Sequence, residues 1–324
     1  MMKKKKMMVI ATAVALMLTG SLSLHASNMV VLGSDQVADD EDVPMPTFLY
    51  FMGKDAMQVI YWTDPKATDE SDISWRRQEQ VRRYASKYTK LLYNNSHFVD
   101  VSYVGEILKD PKGNDAECGC IRNKWYPMKG LKYKPVHPED VRKSTQTYDE
   151  FFCLLLTEDY MKSRCFIPLR GTSPMGENNK PMVPSVVKKL EGRYGMKVQR
   201  SELIAKIGDR YTYGVVQFRP KDEQVLALEV VTDEDEIYVI EEKGQFDAND
   251  TNSVWNVDDG GVYLPGQLLA AFEGPQGLEL CFMRWAIESA TTGWMFLRDG
   301  QLIREQEACY YVYPENPKPD WVND

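Results

Sequence analysis

Two cysteines separated by one glycine, Cys118 and Cys120, are the residues whose type and spacing most directly suggest chemistry. Such a pair suits three uses: a redox centre, part of a metal site, or two separate structural disulfides. In an extended chain their Cα atoms lie about 6.6 Å apart, near the upper limit for a disulfide. A bond between them needs a tight turn at Gly119 and is strained, and strain makes a disulfide labile, as redox catalysis requires.

The remaining cysteines favour structural disulfides. The chain has six cysteines, an even number, and exported proteins use most of theirs in disulfides. A zinc site needs four ligands, whereas the other thiols are dispersed along the chain. A nucleophilic pair of Cys118 or Cys120 with His137 is an alternative that geometry alone decides. We predict three disulfides, with Cys118 and Cys120 bonded to different distant partners. The six cysteines are Cys118, Cys120, Cys153, Cys165, Cys281 and Cys309.

The segment FDANDTNSVWNVDDGG, residues 246–261, is a weak calcium candidate. Asp247, Asn249 and Thr251 fall at alternate positions, and Asp258 lies where the last ligand of a twelve-residue EF-hand loop belongs. That loop also needs glycine at its sixth position and glutamate at its twelfth, and this sequence has asparagine and aspartate. Asp and Asn side chains also bond their own backbone in turns. We therefore expect no tight calcium site and assign no metal ligand.

Other catalytic motifs are absent from the sequence. It contains no H-E-x-x-H zinc motif, no G-x-S-x-G nucleophile elbow and no glycine-rich loop that opens a helix for phosphate binding. We expect no cofactor. Hydrolysis by a pair of carboxylates stays open, because 48 acidic residues offer many pairs and the sequence gives no separation between them.

The amino terminus has the three parts of a secretory signal peptide. Lys3–Lys6 precede an apolar run, Met7–Leu18, and small or polar residues follow as far as Ala26. The apolar run is shorter than the roughly 20 residues that a membrane span needs. We predict a signal peptide at residues 1–26, export as a periplasmic or secreted protein, and no transmembrane span after cleavage. An uncleaved anchor is the alternative, because Leu24 stands at the cleavage site where a small residue belongs.

The charge of the chain limits its partners. The formal net charge is −9, and the signal peptide contributes four lysines and no acidic residue, so cleavage makes the chain more acidic. An acidic surface repels nucleic acids and anionic lipids, and we expect neither as a partner. Residues 27–47 are rich in acids and are predicted to form a flexible leader.

Residues 48–168 are predicted to form a mixed helix and strand domain. TFLYFMG and MQVIYWT read as the strands of a hairpin, and FVDVSYVGEIL reads as a further strand. Apolar residues at three- and four-residue steps in residues 69–95 predict an amphipathic helix. The segment YDEFFCLLLTEDYMKSR, residues 148–164, is predicted to be a mostly buried helix because of its length and its Leu, Glu and Lys content.

The second half has a different pattern. Residues 169–185, dense in Gly, Pro and Asn, are predicted to be a linker or exposed loop between two units. Residues 186–313 are predicted to be an antiparallel β meander, sandwich-like or an open barrel, with a hairpin turn at Asp299-Gly300. One short helix is predicted between Pro184 and Gly195. Residues 314–324 form a polar tail, and the whole chain is assigned to the α+β class.

These observations favour an exported, non-enzymatic protein that binds a ligand or protein partner at the cell envelope. The alternative is an exported hydrolase of carbohydrate or peptide that uses an unidentified carboxylate pair. A cleft with two carboxyl groups of shifted pKa favours the hydrolase, whereas a shallow aromatic surface favours the binding protein.

Overall fold

The computed structural model describes residues 43–51, 57–60, 79–93, 97–107, 120–121, 130–137, 152–171, 179–221, 224–246, 254–255, 260–285 and 289–312. Within these ranges the chain is mostly β, and every strand pairing except one is antiparallel. The predicted α+β class is therefore too rich in helix, and a helical first half is not supported.

Six strands of the first half close into a barrel. Their order around it is β1-β2-β6-β4-β3-β7. The predicted hairpin is confirmed, because the first two strands pair antiparallel with Tyr50 opposite Gln58. The strands are β1 Thr47–Phe51, β2 Met57–Ile60, β3 Tyr88–Tyr93, β4 His97–Ile107, β6 Gly130–Pro135 and β7 Phe152–Thr157. A further two-residue strand, β5 Cys120–Ile121, lies outside the barrel.

Two predicted helices of this half are wrong in part. Strand β3 occupies the end of the helix predicted at residues 69–95, where only residues 79–83 and Ala85–Lys87 are described as helical. Strand β7 occupies the middle of the helix predicted at 148–164, and helix α1, Glu158–Ser163, follows it. An apolar run such as FFCLLL does not distinguish a buried helix from a strand buried on both faces.

Strand β7 is buried on both faces because the barrel packs against another sheet. Cys153 and Leu155 belong to the core inside the barrel. Leu154 and Leu156 belong to a second core, outside the barrel wall. The strand ends at Thr157, whose hydroxyl oxygen accepts a hydrogen bond from the Tyr160 amide at 3.1 Å and so caps helix α1.

The second half contains a five-stranded antiparallel sheet, which we call sheet 1. Its order is β13-β12-β11-β10-β9. The strands are β9 Leu169–Arg170, β10 Val198–Ile207, β11 Tyr211–Phe218, β12 Gln224–Asp233 and β13 Glu236–Gln245. Helix α2, Pro184–Tyr194, confirms the predicted helix: Pro184 begins it and Gly195 ends it with a φ of 63°.

A six-stranded sheet, which we call sheet 2, combines four strands that follow sheet 1 in the chain with two short strands, β5 and β8, that precede it. Its order is β5-β17-β16-β15-β14-β8, and β5 alone runs parallel to its neighbour. The predicted turn at Asp299-Gly300 is confirmed, because both residues have positive φ values of 49° and 72°. The strands after β5 are β8 Cys165–Phe166, β14 Gln267–Gly274, β15 Gly277–Trp285, β16 Ser289–Arg298 and β17 Gln301–Val312. The antiparallel meander predicted for this half is present.

The elements are held in layers by three apolar cores. Sheets 1 and 2 share a core that includes Tyr213, Val231, Leu280 and Phe282. Helix α2 covers the opposite face of sheet 1 through Leu190. The opposite face of sheet 2 packs against barrel strands β1, β3 and β7. In the described ranges, no helix has the length and apolar character to cross a membrane.

The chain passes through all three sheets within residues 152–170. Strand β7 belongs to the barrel, β8 to sheet 2 and β9 to sheet 1. The boundary predicted at residues 169–185 stays a prediction, as do the two units on either side of it. Limited proteolysis of the reduced protein tests it. The predicted signal peptide, most of the leader and the tail lie outside the described residues.

Candidate functional site

The first charged cluster surrounds Glu229, which lies on β12 within the core between sheets 1 and 2. Its side chain has no solvent exposure. The Tyr213 hydroxyl donates to Glu229 Oε2 at 2.8 Å, and the Tyr263 hydroxyl donates to Oε1 at 2.6 Å. The alternation along β12 explains the position, since Ala227, Glu229 and Val231 point to the face that sheet 2 covers.

Two arginines from sheet 2 neutralise this carboxylate. Arg284 on β15 and Arg304 on β17 both bond Glu229 Oε1, the latter at 3.0 Å. Both also contact Glu242 on β13, Arg304 directly and Arg284 at 3.7 Å. The two arginine side chains keep 23% and 17% of their exposure, so the cluster reaches the surface at its arginine side.

The electrostatics keep Glu229 ionised. Burial alone raises the pKa of this carboxyl group, but Arg284, Arg304 and the two tyrosine hydroxyls outweigh burial and lower the pKa to about 2. Burial and the neighbouring carboxylate raise the pKa of Tyr213 and Tyr263 well above the usual value, so both phenols stay protonated donors. A general acid needs a raised pKa, and Glu229 has the opposite.

The same cluster anchors the segment that connects sheet 1 to sheet 2. Gln217 on β11 accepts a hydrogen bond from the Tyr263 amide at 3.0 Å and donates one to the Gly261 carbonyl at 2.8 Å. The Tyr263 ring meets the Trp255 ring edge to face at 5.2 Å, and the Arg284 guanidinium lies over it. The Glu229 cluster therefore joins both sheets to the end of this connection.

A second buried carboxylate lies on the other face of sheet 2. Glu279 on β15 accepts hydrogen bonds from the Tyr160 hydroxyl at 2.5 Å and from Arg164 Nε at 2.8 Å. Both charged side chains are nearly inaccessible, at 6% exposure for Arg164 and 3% for Glu279. Arg164 also lies over the Tyr160 ring, at 4.1 Å. This group, which we call the Glu279 cluster, ties helix α1 and the segment after it to sheet 2.

The third feature is a surface, the outer side of barrel strands β4 and β6. Val99 and Val101 point into the barrel, so Phe98, Asp100 and Ser102 point outward. On this surface Val104 and Val136 are exposed. Phe98 meets the Phe166 ring of sheet 2 at 5.2 Å, and Tyr103 lies opposite Tyr133 on the side that faces the barrel core, so neither belongs to the free surface. Val104 and Val136 keep 48% and 50% of their exposure, which is high for valine.

Two lysines lie among these apolar residues. Lys134 is opposite Ser102 in the strand register, and Lys132 is opposite Gly105. Neither lysine forms an ion pair with any residue in the described part of the chain, whereas Lys90 on β3 bonds Asp100 at 2.5 Å. We define the β4–β6 wall as Val104, Lys132, Lys134 and Val136. It is apolar and locally cationic in a chain of net charge −9.

The predicted calcium ligands are not brought into any described site. Asp247, Asn249, Thr251 and Asp258 all lie outside the described residues. Among the residues that are described, no three or more His, Cys, Asp or Glu side chains are grouped to hold a metal ion. Calcium binding at this segment is therefore untested by the structure, and the expectation of no tight site stays a prediction from the sequence.

The predicted disulfides are not seen where the cysteine side chains are described. Cys153 and Cys281 are buried, Cys165 is exposed, and none of these three is bonded to another in a disulfide. The side chains of Cys118, Cys120 and Cys309 lie outside the described part. The main chain at Cys120 pairs with Tyr311, two residues beyond Cys309. We expect peptide mapping of the unreduced protein to link Cys118 or Cys120 to Cys309.

Glu229 and Glu279 share a sequence signal that belongs to no catalytic motif. Each is an acidic residue inside a run that is apolar on both strand faces, VLALEVVT for Glu229 and LELCFM for Glu279. A strand buried on both faces places such a glutamate in the core, where a charge needs a partner. Their partners, Arg284, Arg304 and Arg164, lie 55 or more residues away and have no local pattern.

Comparison with protein-family models, with curated proteins and with solved structures gave no match for this chain.

Proposed function

We propose that this chain is an exported, non-enzymatic binding protein of the cell envelope and that it contacts its partner through the β4–β6 wall. The observation that carries the proposal is the exposure of Val104 and Val136 beside two lysines that have no ion-pair partner in the described part of the chain. Exposed apolar side chains that alternate with unpaired charged groups offer a partner both apolar and electrostatic contacts. The signal peptide read from the sequence supplies the export.

The charged clusters favour binding over hydrolysis. Among the described residues, the carboxyl groups whose pKa is shifted are Glu191 and Glu229, and both are shifted downward. Acid catalysis by a carboxyl group requires an upward shift. Glu229 and Glu279 are also bonded to tyrosines and arginines and buried from solvent, so neither can reach a substrate.

The position of the wall also supports a binding role. Barrel strands β1, β3 and β7 pack against sheet 2, and their side of the barrel is covered. Strands β4 and β6 are neighbours in the barrel, and the outward side chains between them are exposed. Phe98 at the start of β4 meets Phe166 of sheet 2 at 5.2 Å, so the free part of this face is the row of Val136, Lys134, Val104 and Lys132.

Retention of purified protein on isolated envelopes tests the proposal. We expect Val104→Asp combined with Val136→Asp to reduce the bound amount at least tenfold, because two carboxylates replace the apolar contacts. Val183→Asp is the matched control, since Val183 is exposed to a similar degree, 58%, at the start of helix α2. Equal retention of both variants, or no retention of the unaltered protein, contradicts the proposal.

A further inference from the structure

We infer that the partner of the β4–β6 wall is an extended acidic polypeptide segment in which acidic and apolar side chains share one face. This inference rests on the proposed binding role of the wall. The register of β4 against β6 places the outward groups in a row: Val136, then Lys134 beside Ser102, then Val104, then Lys132 beside Gly105. Three of these groups, Val136, Lys134 and Lys132, follow one another along β6 and the residue after it, and they match a partner that offers one apolar and two anionic groups in line.

The spacing of the row matches an extended chain. Val136, Lys134 and Lys132 occupy alternate positions of one strand, so their Cα atoms are about 6.6 Å apart from one to the next. The side chains on one face of an extended peptide have the same period of two residues. A peptide with one apolar and two acidic residues at alternate positions can thus place each group against its counterpart.

The charge around the row gives it selectivity for anions. Asp100 is bonded to Lys90, and Glu106 is paired with Arg82 at 3.2 Å, so the nearest acids are neutralised. The two lysines that have no such partner in the described chain remain available to a ligand. Opposite charges at a partly desolvated contact contribute to specificity and to the rate of association.

The geometry also separates a peptide from other anionic partners. The barrel is closed, so a partner of the wall meets side chains and not an unpaired strand edge. Anionic polysaccharides lack the apolar groups that Val104 and Val136 would cover. Anionic membranes are typically recognised by clusters of four to eight basic residues, and this wall offers two lysines.

Fluorescence anisotropy with a labelled peptide tests the inference. The probe is Ser-Val-Ser-Glu-Ser-Glu-Ser, in which one face carries the valine and the two glutamates. We expect binding that weakens as salt increases and that falls at least tenfold in the variant Lys132→Gln with Lys134→Gln. Lys188→Gln with Lys206→Gln removes the same charge from exposed positions elsewhere and should bind as the unaltered protein does.

Three outcomes overturn the inference: no binding of the probe, equal binding of the same peptide with glutamine in place of glutamate, or equal loss in both lysine variants. Equal or tighter binding of dextran sulfate or of vesicles containing phosphatidylserine assigns the wall to another class of partner. If envelope retention still depends on Val104 and Val136 while the probe fails, the proposed binding function stands and the polypeptide assignment is wrong.

Discussion

The Glu229 and Glu279 clusters solve the same physical problem in different ways. Glu229 is held by two arginines and two tyrosines, and its arginines touch solvent. Glu279 has one arginine and one tyrosine, both buried. A buried carboxylate costs several kcal/mol unless it is paired. In the Glu229 cluster two arginines share the neutralisation of the carboxylate, so either can be lost. In the described chain, the charge of Glu279 is neutralised by Arg164 alone.

The largest change in the free energy of unfolding is expected from Arg164→Met. This variant leaves Glu279 buried without a cation, so we expect a loss of about 3–5 kcal/mol in the free energy of unfolding. Urea denaturation measures it. Arg170→Met is the control, because Arg170 and Asp209 form an ion pair at the surface, and its loss should be below about 0.5 kcal/mol. Similar losses in both variants would show that the depth of the Glu279 cluster does not matter.

The second prediction concerns pH. The pKa of Glu229 in the folded protein is about 2, below its usual value of 4.5, so its stabilisation is present above pH 4.5 and is lost as the pH falls towards 2. A shift of this size corresponds to about 3 kcal/mol. We expect Glu229→Gln to be less stable at pH 7 and to have a flatter dependence of stability on pH between 5 and 2. Parallel curves for the variant and the unaltered protein would contradict the assignment.

A smaller effect is expected when one arginine of the redundant cluster is removed. Arg284→Met leaves Arg304 bonded to Glu229, and the buried Arg284 Nε atom has no hydrogen-bond partner in the described part of the chain. We expect a loss of about 1–2 kcal/mol, and a similar one for Arg304→Met. The double variant should lose more than the sum, because only then is Glu229 without a cation. Strict additivity in denaturation would argue against redundancy.

The smallest change in stability is expected when calcium is added to the protein. The segment at 246–261 connects to the Glu229 cluster through Trp255 and Gly261, so a bound ion there would stabilise that side of the molecule. We expect the melting temperature of chelator-treated protein to stay unchanged when calcium is added. A rise of several degrees that Asp247→Ala abolishes would show a calcium site.

The sequence was sufficient for elements that local chemistry determines. Asp299-Gly300 and Gly195 adopt the positive φ values that their turns require, and the strands of the second half follow their apolar runs. The sequence predicts a helix where strand β7 lies, because the burial of both its faces comes from the barrel core on one side and sheet 2 on the other. The barrel core and sheet 2 are formed mainly by other segments, so the sequence of β7 alone does not indicate that both its faces are buried.

The candidate sites were beyond sequence reasoning for a related reason. Glu229 and Glu279 are recognisable as charges within apolar strands, but their arginines come from distant strands that only the fold brings near. The β4–β6 wall depends on register: a shift of one residue would turn Lys132 and Lys134 into the barrel. Pairing between strands decides which residues share a face, and no local pattern specifies it.

The passage of the chain from β8 to β9 has a mechanical consequence. These strands lie at the edges of sheets 2 and 1, and only Ile167 and Pro168 separate them. An extended chain covers at most about 3.6 Å per residue, so the two edges cannot move more than roughly 10 Å apart without a strand being pulled from its sheet. Under a stretching load the sandwich is therefore tethered at this corner. Shear between its sheets must begin at the opposite side, where β13 and β17 meet.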